Sequence, residues 1–326
     1  MNLSLTAGKF KTLLLREYWE NKGAFRITPI SIGLVAVGFM LMGITLQSAF
    51  DNNDFTFREG LRYLATQPEE LRGMLVTQSM MVISTFFILA MSIVTFFYLL
   101  GSLYDDRKDR SILFWKSLPA SDSLTIASKL FSAMFVIPLF FWVVLIITEI
   151  IMMGIGMVMI WSVDQNPWSL LFGPAQPLKA WGIVLLGWLA NSIWMLPMYG
   201  WLLLVSASVP KAPMLFAILP PILLSILQAW ISFLEKLQIP DNAMGLIKDW
   251  IVNSPAILTW GVSTNAHGSK DIDVPLGFQI GTSFDNTPTV ANMFARLVSI
   301  EMLYGLLLTG VFLALTFWFR RRATDG

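Results

Sequence analysis

The chain has 326 residues, 56% of them hydrophobic and only 13% charged, with a formal net charge of +1 and a mean hydropathy of +0.66. A soluble domain carries about 25% charged residues and could not hide this much apolar surface, so the solvent must be lipid. That excludes a cytosolic enzyme, a disordered chain and a nucleic-acid binder; with no cysteine and a single histidine, His267, it also excludes disulfides, thiolate catalysis, iron–sulfur clusters and any multi-histidine metal site.

In chain order, residues 1–28 come first and hold an amphipathic stretch. Phe10, Leu13, Leu14, Tyr18 and Trp19 recur at helical spacing, and Lys9, Lys11, Arg16, Glu17, Glu20 and Lys22 fill much of the other face. Such a helix can lie in the membrane interface and enter the first span through Pro29. A basic topology signal with no further role is the plainer alternative.

Six stretches of about 20 or more mostly apolar residues meet the length of a membrane span. They lie at 29–49, 74–103, 130–161, 180–209, 213–234 and 297–319. The expected fold is therefore an all-α integral membrane protein with six transmembrane helices. Read from Leu124 to Trp161, the third stretch would be over ~50 Å long at 1.5 Å per residue, so it must bend or leave the bilayer. Pro138 and the Gly154–Gly156 pair are the candidate bend points. The first stretch does not read as a cleavable signal peptide, because the charged segment before it is too long and no A-x-A-like site follows.

Basic residues set the orientation. With the N-terminus inside, segments 1–28, 105–129, 207–213 and 320–326 hold fourteen of the 22 Lys and Arg residues. The outer segments 50–73, 163–179 and 236–296 hold the other eight, although they are longer in total and rich in acids. Both termini are expected inside. Trp161, Trp168 and Trp181 flank one outer connection, as interfacial aromatics do.

The inner loop from Asp105 to Asp122 is the most distinctive segment. Asp105, Asp106, Arg107, Lys108, Asp109 and Arg110 open it, the apolar run Ile112, Leu113, Phe114 and Trp115 follows, and Leu118 and Pro119 close it. Ser121 or Asp122 is placed to cap the next helix. Charge beside exposed aromatics suits docking onto a cytoplasmic partner. A solvated turn with an interface anchor explains it equally well. The outer segment from Leu234 to Arg296 carries an amphipathic patch, Met244, Leu246, Ile247, Trp250 and Ile251, among the turn formers Pro240, Pro255, Gly268, Pro275, Gly277 and Pro288. Short helices at the outer interface are expected there, forming either a gate or a simple surface loop. Residues 50–73 form a second small cap. There is no internal repeat. The partition is an interfacial helix at 1–28 and one six-span domain at 29–326.

This layout resembles the permease subunits of ABC-type exporters of the type-2 class. Three features carry the likeness. The first is Leu13 to Phe25, LLLREYWENKGAF, followed directly by a span. The second is the run from Asp105 to Leu130, with an acid–Arg pair at Asp106–Arg107, a hydroxyl at Ser111, an apolar run at Ile112–Trp115 and Leu118–Pro119 before a helix. The third is six spans with a long outer segment before the last. The sequence has Asp106 where glutamate is commoner in the family, a conservative departure. The resemblance implies an interfacial connecting helix at 9–25, with Leu14, Arg16, Glu17, Tyr18 and Trp19. It implies a coupling helix at about 105–119, with Asp106, Arg107, Arg110, Phe114, Trp115 and Pro119 docking a separate ATP-binding cassette subunit. It implies an extracytoplasmic gate before the sixth span and, with the basic-residue count, placement in a bacterial inner membrane.

The chain lacks GxxxxGK[ST]; Gly8–Lys9 is followed by Phe10, with no glycine at the required spacing before it. If the chain is such a permease, ATP and Mg are bound by the partner ATPase in two copies. The cargo path would lie between this permease and a second copy or a sibling. No cofactor is expected in this chain, and no metal site. Gly33, Gly38 and Gly43, or Gly305 and Gly310, could allow close helix approach; ordinary tolerance of glycine in membrane helices explains any one of them.

Two acids fall in apolar stretches, Glu149 and Glu301. A charge at bilayer depth costs at least ~2.5 kcal/mol on insertion scales, so each is a candidate for the transport path. Glu149 could bind a cationic cargo, relay protons or hold another subunit; the plainer alternative is a protonated acid bonded to Asn191, Ser192 or a backbone carbonyl. Glu301 lies close in sequence to Arg296, which suits a structural pair. Asn191 and Gln228 are weaker polar marks. His267 with Ser269 and Asp271 is a poor basis for hydrolytic chemistry and reads as a turn. The leading expectation is an ATP-driven exporter of an amphipathic or hydrophobic cargo. A proton- or ion-coupled carrier using Glu149 and a non-transporting scaffold are the alternatives. A carrier of the inverted-repeat kind calls for matching halves, which six unequal spans do not show.

Overall fold

The computed structural model describes residues 3–49, 57–109, 121–172, 176–235, 247, 250, 251, 254 and 290–322. Among them every regular element is helical: α1 (Leu3–Glu20), α2 (Thr28–Ala49), α3 (Phe57–Thr66), α4 (Glu69–Ser102), α5 (Tyr104–Lys108), α6 (Asp122–Phe131), α7 (Ile137–Trp161), α8 (Pro177–Trp194), α9 (Leu196–Ser208), α10 (Pro213–Glu235), α11 (Val290–Leu297) and α12 (Ile300–Arg322). Single π-helical turns at Gly23–Ile27, Ser132–Val136 and Trp168–Phe172 interrupt or extend them.

Among the described residues, four helical stretches are long and apolar enough to cross a membrane: Gly23–Leu46, Leu71–Lys108, Asp122–Trp161 and Ile300–Arg322. Trp168–Trp194 and Leu196–Ser208 together make a fifth, bent by 53°. The apolar helix Pro213–Leu227 is shorter. All six stretches expected from hydropathy are thus helical, and the protein is a multi-pass membrane protein. The long third stretch departs from α-helical geometry in the turn before Pro138, which is where a proline acts. A π-helical turn occupies Ser132–Val136 and contains Met134, the residue four before Pro138 whose carbonyl a proline ring crowds and leaves without its usual donor. Gly154 and Gly156 lie inside unbroken helix.

The chain divides into two compact units, neither contiguous in sequence. One comprises Met1–Glu17, Phe96–Met134 and Gly187–Gly326. Its core is the pair α9 and α12. Gly200 permits that pairing: a Cβ there would meet Phe312 Cβ at 3.2 Å and the Thr309 Cα at 3.6 Å. Proline punctuates α10, where Pro220 and Pro221 lie inside the helix. Pro221 cannot donate to the Ala217 carbonyl one turn back, and in lipid that oxygen would go unsatisfied. The Trp201 indole N–H donates to it instead, at 3.1 Å. The stack of Trp194 on Trp250 (centroids 4.6 Å apart) brings part of the outer segment onto this unit. Each indole N–H donates to the other residue's carbonyl, at 2.8 and 3.1 Å.

The other unit comprises Tyr18–Thr95 and Phe135–Leu186 and is built on α2 against α7. Here Gly33 lies directly against the Thr148 side chain, which donates its hydroxyl back to the Val144 carbonyl. Gly38, Gly43 and Gly310 face open space, and Gly305 faces Trp250 and Pro197. Of the five glycines singled out from sequence, two therefore mark close approaches.

Candidate functional site

Six charged side chains converge where the inner loop leaves and re-enters the helices of the first unit. Asp106 on α5 is 6% exposed. Its Oδ1 accepts from Arg16 Nη2 of α1 at 3.0 Å, and its Oδ2 lies 3.7 Å from both Lys129 Nζ of α6 and Arg320 Nη1 of α12. Lys129, 2% exposed, holds Glu17 Oε1 at 3.0 Å. Glu17, 1% exposed, also accepts from the Tyr98 hydroxyl at 2.8 Å. Arg320 Nε donates to Asp122 Oδ1 at 3.0 Å. The cluster holds Arg16, Lys129 and Arg320 against Glu17, Asp106 and Asp122, so its formal charge is zero. Balance is what makes it tolerable: desolvating an ion costs several kcal/mol, recovered only through good geometry and added hydrogen bonds.

Local sequence puts each member in place. On α1, Leu13 and Glu17 are one turn apart and share the buried face, while Leu15 and Trp19 are exposed. The face read as polar thus carries the buried acid, and the apolar-looking Trp19 points outward. Leu14 is half-buried, and Tyr18 stacks on Phe140 (centroids 5.2 Å apart) within the other unit. Asp122 opens α6 one residue after Ser121, whose hydroxyl accepts from Leu124 N and caps the helix.

Arg107 is fixed beside the cluster. Its Nη2 donates to the carbonyls of Ser206 (2.6 Å) and Val209 (2.8 Å) at the C-terminal end of α9. A cation is favoured there, where carbonyls have no intrahelical partner. The Ser206 hydroxyl in turn accepts from Leu103 N and Tyr104 N, both at 3.0 Å. Asp106 and Arg107, two of the expected docking residues, are therefore turned into the protein. Arg110, Phe114, Trp115 and Pro119 lie outside the described residues, as do His267, Ser269 and Asp271.

The remaining candidates fall elsewhere. Glu149 is 2% exposed on α7. Its Oε2 accepts from the Trp181 indole N–H at 2.5 Å, and the Trp181 carbonyl accepts from Trp142 Nε1 at 2.9 Å. Asn191 accepts from the Ser254 hydroxyl at 2.5 Å. Glu301 is exposed in the first turn of α12, where the helix dipole favours an acid. Among the described residues no cluster of acids and histidine is arranged to hold a metal ion.

Sequence reasoning missed Lys129, Arg320, Asp122 and Tyr98 as site residues. Lys129 and Arg320 stand at the ends of apolar stretches and were counted only as topology charges. An ionisable group against an apolar stretch needs a partner, and that need was the available signal. No family model, curated protein or solved structure matches the chain.

Proposed function

We propose that the chain is the transmembrane permease subunit of an ATP-driven ABC exporter, moving an amphipathic or hydrophobic cargo by alternating access. The observation that carries this reading is the buried charge cluster. It grips the inner loop at both ends, through Asp106 before it and Asp122 and Lys129 after it, and ties both to α1 and α12. A connector between spans has no need of a balanced cluster of six charges, four of them buried. A loop that receives force does, because a displacement there must reach other helices as one motion.

In this reading the segment 110–119 docks a cytoplasmic ATP-binding cassette subunit, which binds ATP and Mg. Phe114 and Trp115 supply the apolar contact and Arg110 the charge. Asp106 and Arg107 do not touch the partner; they position the loop. Closure of two ATPase copies pushes the loop, and Arg320, bound to both Asp106 and Asp122, carries the displacement to the last span. The chain crosses the membrane six times with both termini cytoplasmic, in a bacterial inner membrane. The segment before α12 forms the outer gate, and a second permease completes the path.

The test is affinity purification in mild detergent with mass spectrometry of the co-purifying chains. A stoichiometric P-loop ATPase, lost in Trp115→Ala while the permease stays monodisperse, is expected. A folded permease without any ATPase would overturn the reading. One observation favours a second reading: Glu149 is buried within an apolar span. A proton-coupled carrier would then be indicated by proton flux in proteoliposomes that Glu149→Gln abolishes.

A further inference from the structure

The C-terminal half of α12 presents a face that the ion cluster does not use. Met302, Gly305, Thr309, Thr316 and Arg320 are its buried residues. At 100° per residue, Val311, Ala314, Leu315, Trp318 and Arg322 fall on the opposite side. Val311, Ala314, Leu315 and Trp318 line a shallow, almost wholly apolar recess of about 370 Å³.

Three consecutive arginines end the helix, and they differ. Arg320 turns inward and is committed to Asp106 and Asp122. Arg321 and Arg322 are exposed, and neither has a carboxylate partner among the described residues. The Arg322 guanidinium lies over the Trp318 ring, 3.9 Å from its centroid. That contact holds a cation directly above the recess and lowers the ordering cost of using it.

The dimensions match one leaflet. From Val311 to Arg322 is eleven residues, about 16 Å of helix at 1.5 Å per residue, against about 15 Å for half of a 30 Å hydrocarbon core. With the two arginines at headgroup level, the recess would sit at acyl depth and Trp318 at the interface.

We propose that this face of α12 is a binding site for an anionic phospholipid, with an acyl chain in the recess and the phosphate held by Arg321 and Arg322. Two exposed cations favour an anionic headgroup over a zwitterionic one, whose own cation repels them. The apolar recess selects against a free phosphate ion. The site rests on the membrane crossing of α12 and is independent of the exporter reading. Because Arg320 on the same turn belongs to the charge cluster, lipid occupancy would steady the end of α12 that the cluster grips.

The test is native mass spectrometry of the full chain in detergent with equal amounts of phosphatidylglycerol and phosphatidylcholine. The wild-type chain is expected to retain phosphatidylglycerol preferentially. R321Q/R322Q should weaken that retention about thirtyfold, with phosphatidylcholine unchanged, from about fivefold per basic residue at an anionic surface. Ala314→Phe, which fills the recess and leaves the charges, should weaken it too. K11Q/K22Q, which removes the same charge elsewhere, should not. Equal retention of the two lipids, an unchanged R321Q/R322Q, or an equal loss in K11Q/K22Q would overturn the site. So would displacement of the lipid by inorganic phosphate, or loss of a dimer mass in place of a lipid mass.

Discussion

Lys129 is the residue on which the charge cluster turns. Its ammonium is the cation that touches both Glu17 and Asp106, and it is almost fully enclosed. Lys129→Met leaves two buried carboxylates short of a cation and should cost about 3–5 kcal/mol. A melting experiment in detergent should show a large fall in midpoint. Adding Glu17→Gln to Lys129→Met restores neutrality and should recover a substantial part of the loss, as coupled sites do; additive losses would mean the pair is not coupled. At Glu149 the expectation is different in kind. Glu149→Gln keeps an oxygen to accept from Trp181 and should fold. Glu149→Leu leaves the Trp181 N–H unpaired and should cost about 1–3 kcal/mol. Glu149 was legible in the sequence as an acid in an apolar run. Its partner was not, because Trp181 is 32 residues away and reads by itself as an interfacial aromatic.

At the scale of helices, length and hydropathy made the elements legible, and local chemistry made some of their ends so. Ser121 was read as one of two candidate caps and is the one that caps α6. Pairing was less visible, since a glycine in a membrane helix looks the same whether or not it faces a neighbour. The structure separates the cases. Gly200→Ala, in a position the sequence did not single out, pushes a methyl against Phe312 and the α12 backbone and should cost about 1–3 kcal/mol. Gly38→Ala meets nothing within 4 Å and, by removing the backbone freedom of a helical glycine, should stabilise by about 0.5–1 kcal/mol. Equal melting of the two variants would contradict the α9–α12 pairing. The carbonyl bond within α10 gives a sharper test. Trp201→Phe removes the donor to the Ala217 carbonyl and should destabilise. Pro221→Ala returns a backbone N–H to the same oxygen, so the double variant should recover stability. If it melts no higher than Trp201→Phe alone, the indole is not serving the freed carbonyl.

For the whole molecule, sequence made the membrane class plain, because no soluble fold can bury 56% hydrophobic residues with 13% charged. It did not show which charges meet. That depends on ion pairs between residues far apart in the chain, such as Arg320 and Asp122 with a separation of 198. Orientation can be tested simply because the chain has no cysteine. Asp285→Cys should react with a membrane-impermeant maleimide in intact cells, and Lys22→Cys only after permeabilisation. The reverse pattern would invert the topology and place the charge cluster on the outer side. The central claim is that the inner loop meets an ATPase while the cluster holds the loop's ends. A photo-crosslinking side chain in place of Trp115, activated in intact membranes, tests it most directly. One dominant adduct is expected, between this chain and a P-loop ATPase, that weakens when Asp106→Asn loosens the loop. Adducts only to lipid or to a second copy of this chain would contradict it.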